Sequence, residues 1–370
     1  MDSEPNNESQ FDPAVESAIS GRDPLGRTDV NSVFEALAEF PAHNPPARLY
    51  RFFSKRAISS LTEGKLKFTP PIEFNDPFEV WAGLSEANLT EENVLRSVLT
   101  PNSLFRISMQ ANYPNYDLQA MDYERQLVAV VKGAPQYHRQ HLKSMVDAIA
   151  NSCATEVGVS CFSAFAPEEF QGELGIHHWA MYGDSHTGFA IVYDGEHPQV
   201  RAFAETKWLF PVEYVDQRYV VDLGYFDEWS DRKMWRTFRH WLALKSRRAW
   251  EHEKEWRLAF PILAPPDHHF VRETSADGRN HYFLKLWDNS KPAEERSAHA
   301  SIISTVFLGA RSAPDLTAQV LEAVEAPHLR HVEVYRMEVD ASRYALVPRQ
   351  LRAGDTSRVR ELRARLVRQT

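Results

Sequence analysis

Short apolar runs recur along this chain at uneven intervals, and that irregularity constrains the fold most. Residues 49–53, 66–68, 157–163, 188–193, 208–215, 256–262, 281–287, 302–308 and 332–339 each have the length and aromatic or β-branched content of a strand. Between them lie helical stretches of unequal length rather than one helix per strand. This order argues against regular βαβ units and predicts an α+β domain.

The helical stretches divide the chain. Residues 30–40 (VNSVFEALAEF) place Val33, Phe34, Leu37 and Phe40 at helical spacing, and Pro41, Pro45 and Pro46 end that helix. Residues 1–45 therefore read as an acidic, partly disordered segment with one short helix. The main domain is expected at 46–345, with a helix at 55–63 capped by Ser54 and stopped by Gly64. It carries a helical insertion at 88–150. An amphipathic helix at 231–250 puts Trp235, Phe238, Trp241 and Leu242 on one stripe, and a late helix covers 314–325. Residues 346–370 read as an arginine-rich helix or tail.

Charge and composition narrow the function classes. No run approaches the ~20 apolar residues that a spanning helix needs, so no membrane segment is expected. The opening Met1-Asp2-Ser3-Glu4 has the character of neither a secretory signal nor a transit peptide. Cys153 and Cys161 are the only cysteines, which offers no disulfide framework and fits a cytoplasmic setting. The net charge of −9 is uneven: residues 1–44 carry −7, whereas 349–370 carry +5. Residues 231–250 hold seven basic groups against one acid. These two basic stretches are the candidate nucleic-acid contacts, with tryptophans as stacking platforms.

No P-loop, G-x-G-x-x-G, H-E-x-x-H or G-x-S-x-G motif occurs. The chemistry must reside in polar residues set among aromatics. In Trp250-Glu251-His252-Glu253-Lys254-Glu255-Trp256-Arg257, a strand opening at Glu253 would put Glu253 and Glu255 on one face. Two neighbouring carboxylates repel unless they serve a cation or a developing positive charge, such as an oxocarbenium-like sugar centre. The plainer alternative is a solvated loop with Lys254 and Arg257 as partners. Arg51, within Tyr50-Arg51-Phe52-Phe53, must find an anion or face water from a strand edge. Asn75-Asp76-Pro77 is a turn signal. Ser160 and Ser163 flank Cys161-Phe162, and either could hold a ribose or cap a turn. Trp179, Tyr182 and His186 offer aromatic surface for a flat heterocycle. His177 and His178, with His186 or with His268 and His269, match no standard ligand spacing, so no metal is expected.

Taken together, Leu49-Tyr50-Arg51, Phe74-Asn75-Asp76-Pro77-Phe78-Glu79, Cys161-Phe162-Ser163, Trp179-x-x-Tyr182, Val212-x-Tyr214, Lys245-x4-Trp250 and Glu253-x-Glu255-x-Arg257 resemble a bacterial family known only as a domain of unknown function. The layout also resembles, remotely, the ADP-ribosyltransferases. There a first strand carries Arg or His, a later one Ser or Tyr, and a late strand opens on a Glu. That resemblance implies a split, twisted mixed sheet and NAD as substrate. Glu255 and Glu253 would be catalytic, with Arg51 on the pyrophosphate. Ser163, Trp179, Tyr182, His186 and Asn75 would line the cofactor. The acceptor would be a protein or nucleic acid, as suits a bacterial toxin or phage-defence effector. Two competing readings are a non-enzymatic nucleic-acid binder or sensor, and a metal-dependent nuclease built on Asp76, Glu253, Glu255 and histidines.

Overall fold

The computed structural model describes residues 30–80, 83–84, 89–104, 106–108, 123–133, 135–221, 230–262 and 270–355. They fall into two compact units, one drawn from residues 1–36, 75–156 and 217–242, the other from 37–74, 157–216 and 243–370.

The second unit is built on an eight-stranded mixed sheet. Its strands are β1 (Arg48–Phe53), β2 (Val157–Ser163), β3 (Phe189–Asp194), β4 (Leu209–Pro211), β5 (Glu255–Pro261), β6 (Ile303–Leu308), β7 (Glu333–Val339) and β8 (Leu346–Arg352), in the order β8-β7-β6-β3-β1-β2-β5-β4. Only β6 and β7 run parallel. With its helices this makes a mixed α and β architecture, consistent with the α+β class. The middle strand β3 (FAIVYD) is buried at five consecutive positions, as an uninterrupted apolar run implies for a strand covered on both faces. Gly188 precedes it because a Cβ there would lie 2.0 Å from the Phe53 carbonyl oxygen. A three-stranded sheet of Phe270–Thr274, Asn280–Lys285 and Lys65–Phe68 belongs to the same unit. It joins β2 through a Thr69–Val159 bridge, and Phe68 stacks on Phe260 of β5 at 5.3 Å.

Several boundaries differ from the sequence expectation. The 55–63 helix is a 3₁₀ turn (Lys55–Ala57) followed by one turn of α-helix (Ser59–Thr62), and the Ser54 side chain makes no capping bond. The 208–215 run divides at Pro211, which cannot donate to a ladder. Leu209–Pro211 enters the main sheet, and Glu213–Val215 pairs in parallel with Leu244–Ser246. The 231–250 helix ends at Ala243. Residues 346–352 are an edge strand rather than a helix or tail, with Arg349 paired to Glu338 and Arg352 to Glu325. Residues 356–370 and 1–29 lie outside the described residues.

The first unit is largely helical: Glu91–Leu99, Tyr123–Gly133, Pro135–Glu156 and Asp231–Ala243. Thr90 caps the first of these by accepting from the Asn93 amide at 3.2 Å. In Asp231–Ala243 the residues Trp235, Phe238, Trp241 and Leu242 are buried, while Arg232 and Arg236 are exposed. Buried indoles are unavailable as stacking platforms, so the proposed nucleic-acid role for Trp235 and Trp241 is lost. Among the described residues no helix is long and apolar enough to cross a membrane.

Candidate active site

The site forms where the chain enters β5. A 3₁₀ turn at Glu251–Glu253 is followed by Lys254 in the left-handed conformation at φ 48°, and β5 then opens on Glu255. Glu253 therefore lies before the strand, not on it. A left-handed lysine is sparsely populated backbone and must be held by its surroundings. Here the Lys254 carbonyl accepts from the Ala164 amide at 2.9 Å, and its ammonium pairs with Glu169.

The two carboxylates are not in a solvated loop. Glu253 and Glu255 are each 5% exposed. Lys245 donates to Glu253 at 2.7 Å and to Glu255 at 3.0 Å. Arg257 adds bonds to both Glu255 oxygens at 2.9 and 3.1 Å, and the Tyr182 hydroxyl donates to the remaining Glu253 oxygen. Two anions thus meet two cations, and the mutual repulsion of the carboxylates is offset. Burial alone would raise the Glu255 pKa, but Arg257 and Lys245 outweigh it and hold the carboxyl at about 2. Burial likewise opposes charge on Lys245, yet Glu255 and Glu253 raise its pKa. Trp250 covers the ammonium at 4.3 Å from its ring centre. The Tyr214 hydroxyl accepts from the Glu255 amide at 2.8 Å. Cys161 lies beside Glu255, and burial first, then that carboxylate, pushes its thiol far from reactivity.

Strand register decides which expected residues join this cluster. Tyr50 of β1 stands opposite Ser163 of β2, and Ser163 stands opposite Glu255 of β5. Residues directly opposed on antiparallel strands share a sheet face, so Tyr50, Ser163 and Glu255 form one row. Arg51, one residue on from Tyr50, presents to the other face. Its guanidinium carbon lies 5.8 Å from the Phe162 ring centre and 5.5 Å from that of Phe53. The expectation that Arg51, Ser163 and Glu255 surround one cleft fails for Arg51. Nor is β1 an edge strand from which Arg51 could point into water, since β3 and β2 flank it.

The aromatic candidates also separate. Trp179 is fully buried and packs edge-on against Phe52 at 5.1 Å within the core. It offers no free face to a ligand. Tyr182 is 36% exposed and reaches Glu253. The His186 ring lies parallel to Trp179 at 6.5 Å in a turn where Asp184, Ser185 and His186 all have positive φ. Asn75 belongs to the first unit and is exposed, and Asp76 accepts from the Phe78 amide at 2.9 Å in the turn that its sequence signals.

Sequence reasoning assigned nothing to His252 or Tyr214. His252 meets His177 at 5.0 Å and His178 at 6.1 Å between ring centres. Among the described residues no three His, Cys, Asp or Glu side chains are arranged to hold a metal, and His268 and His269 lie outside them. The His178 Nδ1 contacts the Leu174 carbonyl at 3.0 Å, and burial lowers its pKa to about 4. Comparison with protein-family models, with curated proteins and with solved structures returned no match.

Proposed function

We propose that this chain is an NAD-consuming enzyme of the ADP-ribosyltransferase type, acting in the cytoplasm and modifying a protein or nucleic acid as a bacterial toxin or phage-defence effector would. The observation that carries this reading is the row of Tyr50, Ser163 and Glu255 across three adjacent strands, with Glu253 at the entry to the last. The strands that the family resemblance assigns to its three motifs are neighbours in the order β1-β2-β5. Glu255, ionised at any physiological pH, would stabilise the ribosyl cation as nicotinamide leaves. Glu253, bonded to the half-exposed Tyr182, would orient the acceptor.

Arg51 has no part in this version, because it lies behind the sheet. The balanced charges set a further condition: a nascent ribosyl cation adds a third positive charge to two carboxylates and two cations. One carboxylate must therefore exchange Lys245 for the substrate. Incubating the purified chain with labelled NAD and cell extract tests the reading. Labelled macromolecules, lost in Glu255→Gln, are expected; the absence of both label transfer and nicotinamide release would sink it.

A further inference from the structure

We infer that Tyr182 is a catalytic residue, whose phenol passes a proton from an uncharged acceptor group to Glu253. This relay rests on the transferase reading above and names the class of group that is modified.

Glu253 is poorly placed to meet an acceptor itself. Its side chain is 6% exposed, and each carboxylate oxygen is already engaged, one by Lys245 at 2.7 Å and the other by the Tyr182 hydroxyl. Tyr182, 36% exposed, is the member of this pair that reaches the surface. A phenol that donates its one proton can still accept through its oxygen. An acceptor hydroxyl or amide can therefore donate to Tyr182 Oη while Tyr182 donates to Glu253.

The chain holds the phenol in place for this. Tyr182 closes the helix Glu173–Met181, and its amide and that of Gly183 both donate to the His178 carbonyl, at 2.8 and 3.2 Å. A Cβ at Gly183 would lie 2.6 Å from the ring of the buried Trp179, so the helix end is seated on the core. The His178 ring lies 5.6 Å from that of Tyr182, and the ring of His252, the residue before Glu253, lies 6.1 Å from His178. Burial keeps His178 neutral at physiological pH, so it adds no charge beside the phenol.

In the transfer step the acceptor's lone pair forms the bond to the ribose carbon, and nicotinamide departs with the electrons of the broken glycosidic bond. The acceptor's proton passes to Tyr182 Oη and the phenolic proton to Glu253, from which water later removes it. The charge count selects the acceptor. Lys245 and Arg257 already balance Glu253 and Glu255, and the ribosyl cation adds one positive charge. A guanidinium or ammonium acceptor would add another, with neither carboxylate of the pair left to receive it.

The test follows label transfer from NAD to the macromolecules of a cell extract together with nicotinamide release. Tyr182→Phe retains the ring beside His178; it should lower label transfer about 10²-fold, a usual loss for a general base, and nicotinamide release far less. Two measurements on the native chain keep the test decisive if that variant does not fold. In mixtures of light and heavy water, transfer should slow with a curved dependence on deuterium content, as two protons in flight require. Excess agmatine, a free guanidinium, should be neither labelled nor inhibitory. Full transfer by Tyr182→Phe, a linear isotope dependence or labelled agmatine would overturn the relay and leave the transferase reading standing. No nicotinamide release from the native chain would sink both.

Discussion

Lys245 and Glu255 meet at 3.0 Å inside the protein, each with a side chain 6% exposed. A pair so enclosed is worth little as a net source of stability, yet removing one partner leaves the other charged and buried.

From this follows the response to Glu255→Gln. The sequence alone, with two adjacent carboxylates, implies relief of repulsion and unchanged stability. The structure reverses that expectation, because Arg257 and Lys245 would lose their shared counter-charge. Urea denaturation should register a loss of about 3–5 kcal/mol. Combining Glu255→Gln with Lys245→Met should cost less than the sum of the single changes, since one charge of each sign is then removed.

Glu253→Gln should be milder. The amide oxygen still accepts from Tyr182, and Lys245 retains Glu255. Stability should fall by about 1.5–3 kcal/mol, the cost of one charged hydrogen bond. Under the transferase reading, label transfer to macromolecules drops while slow NAD hydrolysis survives; equal loss of both would remove the acceptor-orienting role.

Acid should destabilise the fold in two windows. His178 has its pKa lowered by burial from 6.5 to about 4, so the unfolded chain binds its proton first as pH falls. Stability should decline between pH 6.5 and 4 by up to about 3 kcal/mol from this group. Glu255, lowered from 4.5 to about 2, contributes stability above pH 4.5 that disappears as pH falls through 2. Urea titrations from pH 4 to 8 should show a flatter profile for His178→Gln than for the native chain.

Gly188→Ala should be among the most damaging small substitutions. The added methyl would sit 2.0 Å from the Phe53 carbonyl oxygen, and backbone cannot give way as a side chain can. A loss above roughly 3 kcal/mol is expected, readable as a lower urea midpoint with an unchanged slope.

How legible these features are in the sequence depends on their range. β2 falls on residues 157–163 as expected, because its pattern is local and the long helix before it ends at Glu156. The spacing of Glu253 and Glu255 suggests that they are neighbours, but what brings them together is the left-handed Lys254 and the shared Lys245 rather than a common strand face. Arg257 and Lys245 are the ion-pair partners that the sequence suggests for Glu255, and both pair with it. The amphipathic pattern that runs on to Trp250 instead hides that the helix stops at Ala243 and residues 244–246 form a strand. Alternation shows that Tyr50 and Arg51 face opposite ways. Which of them shares a side with Glu255 depends on pairing with strands more than a hundred residues away, and no local pattern specifies that.

That pairing carries an evolutionary consequence. With Tyr50 locked opposite Ser163, a one-residue slip of β1 would put a guanidinium where the stacked Tyr50–Phe170 pair lies at 4.4 Å, and a phenol behind the sheet. Lineages of this chain should therefore accept length changes before Arg48 or after Phe53 far more readily than any insertion or deletion between them.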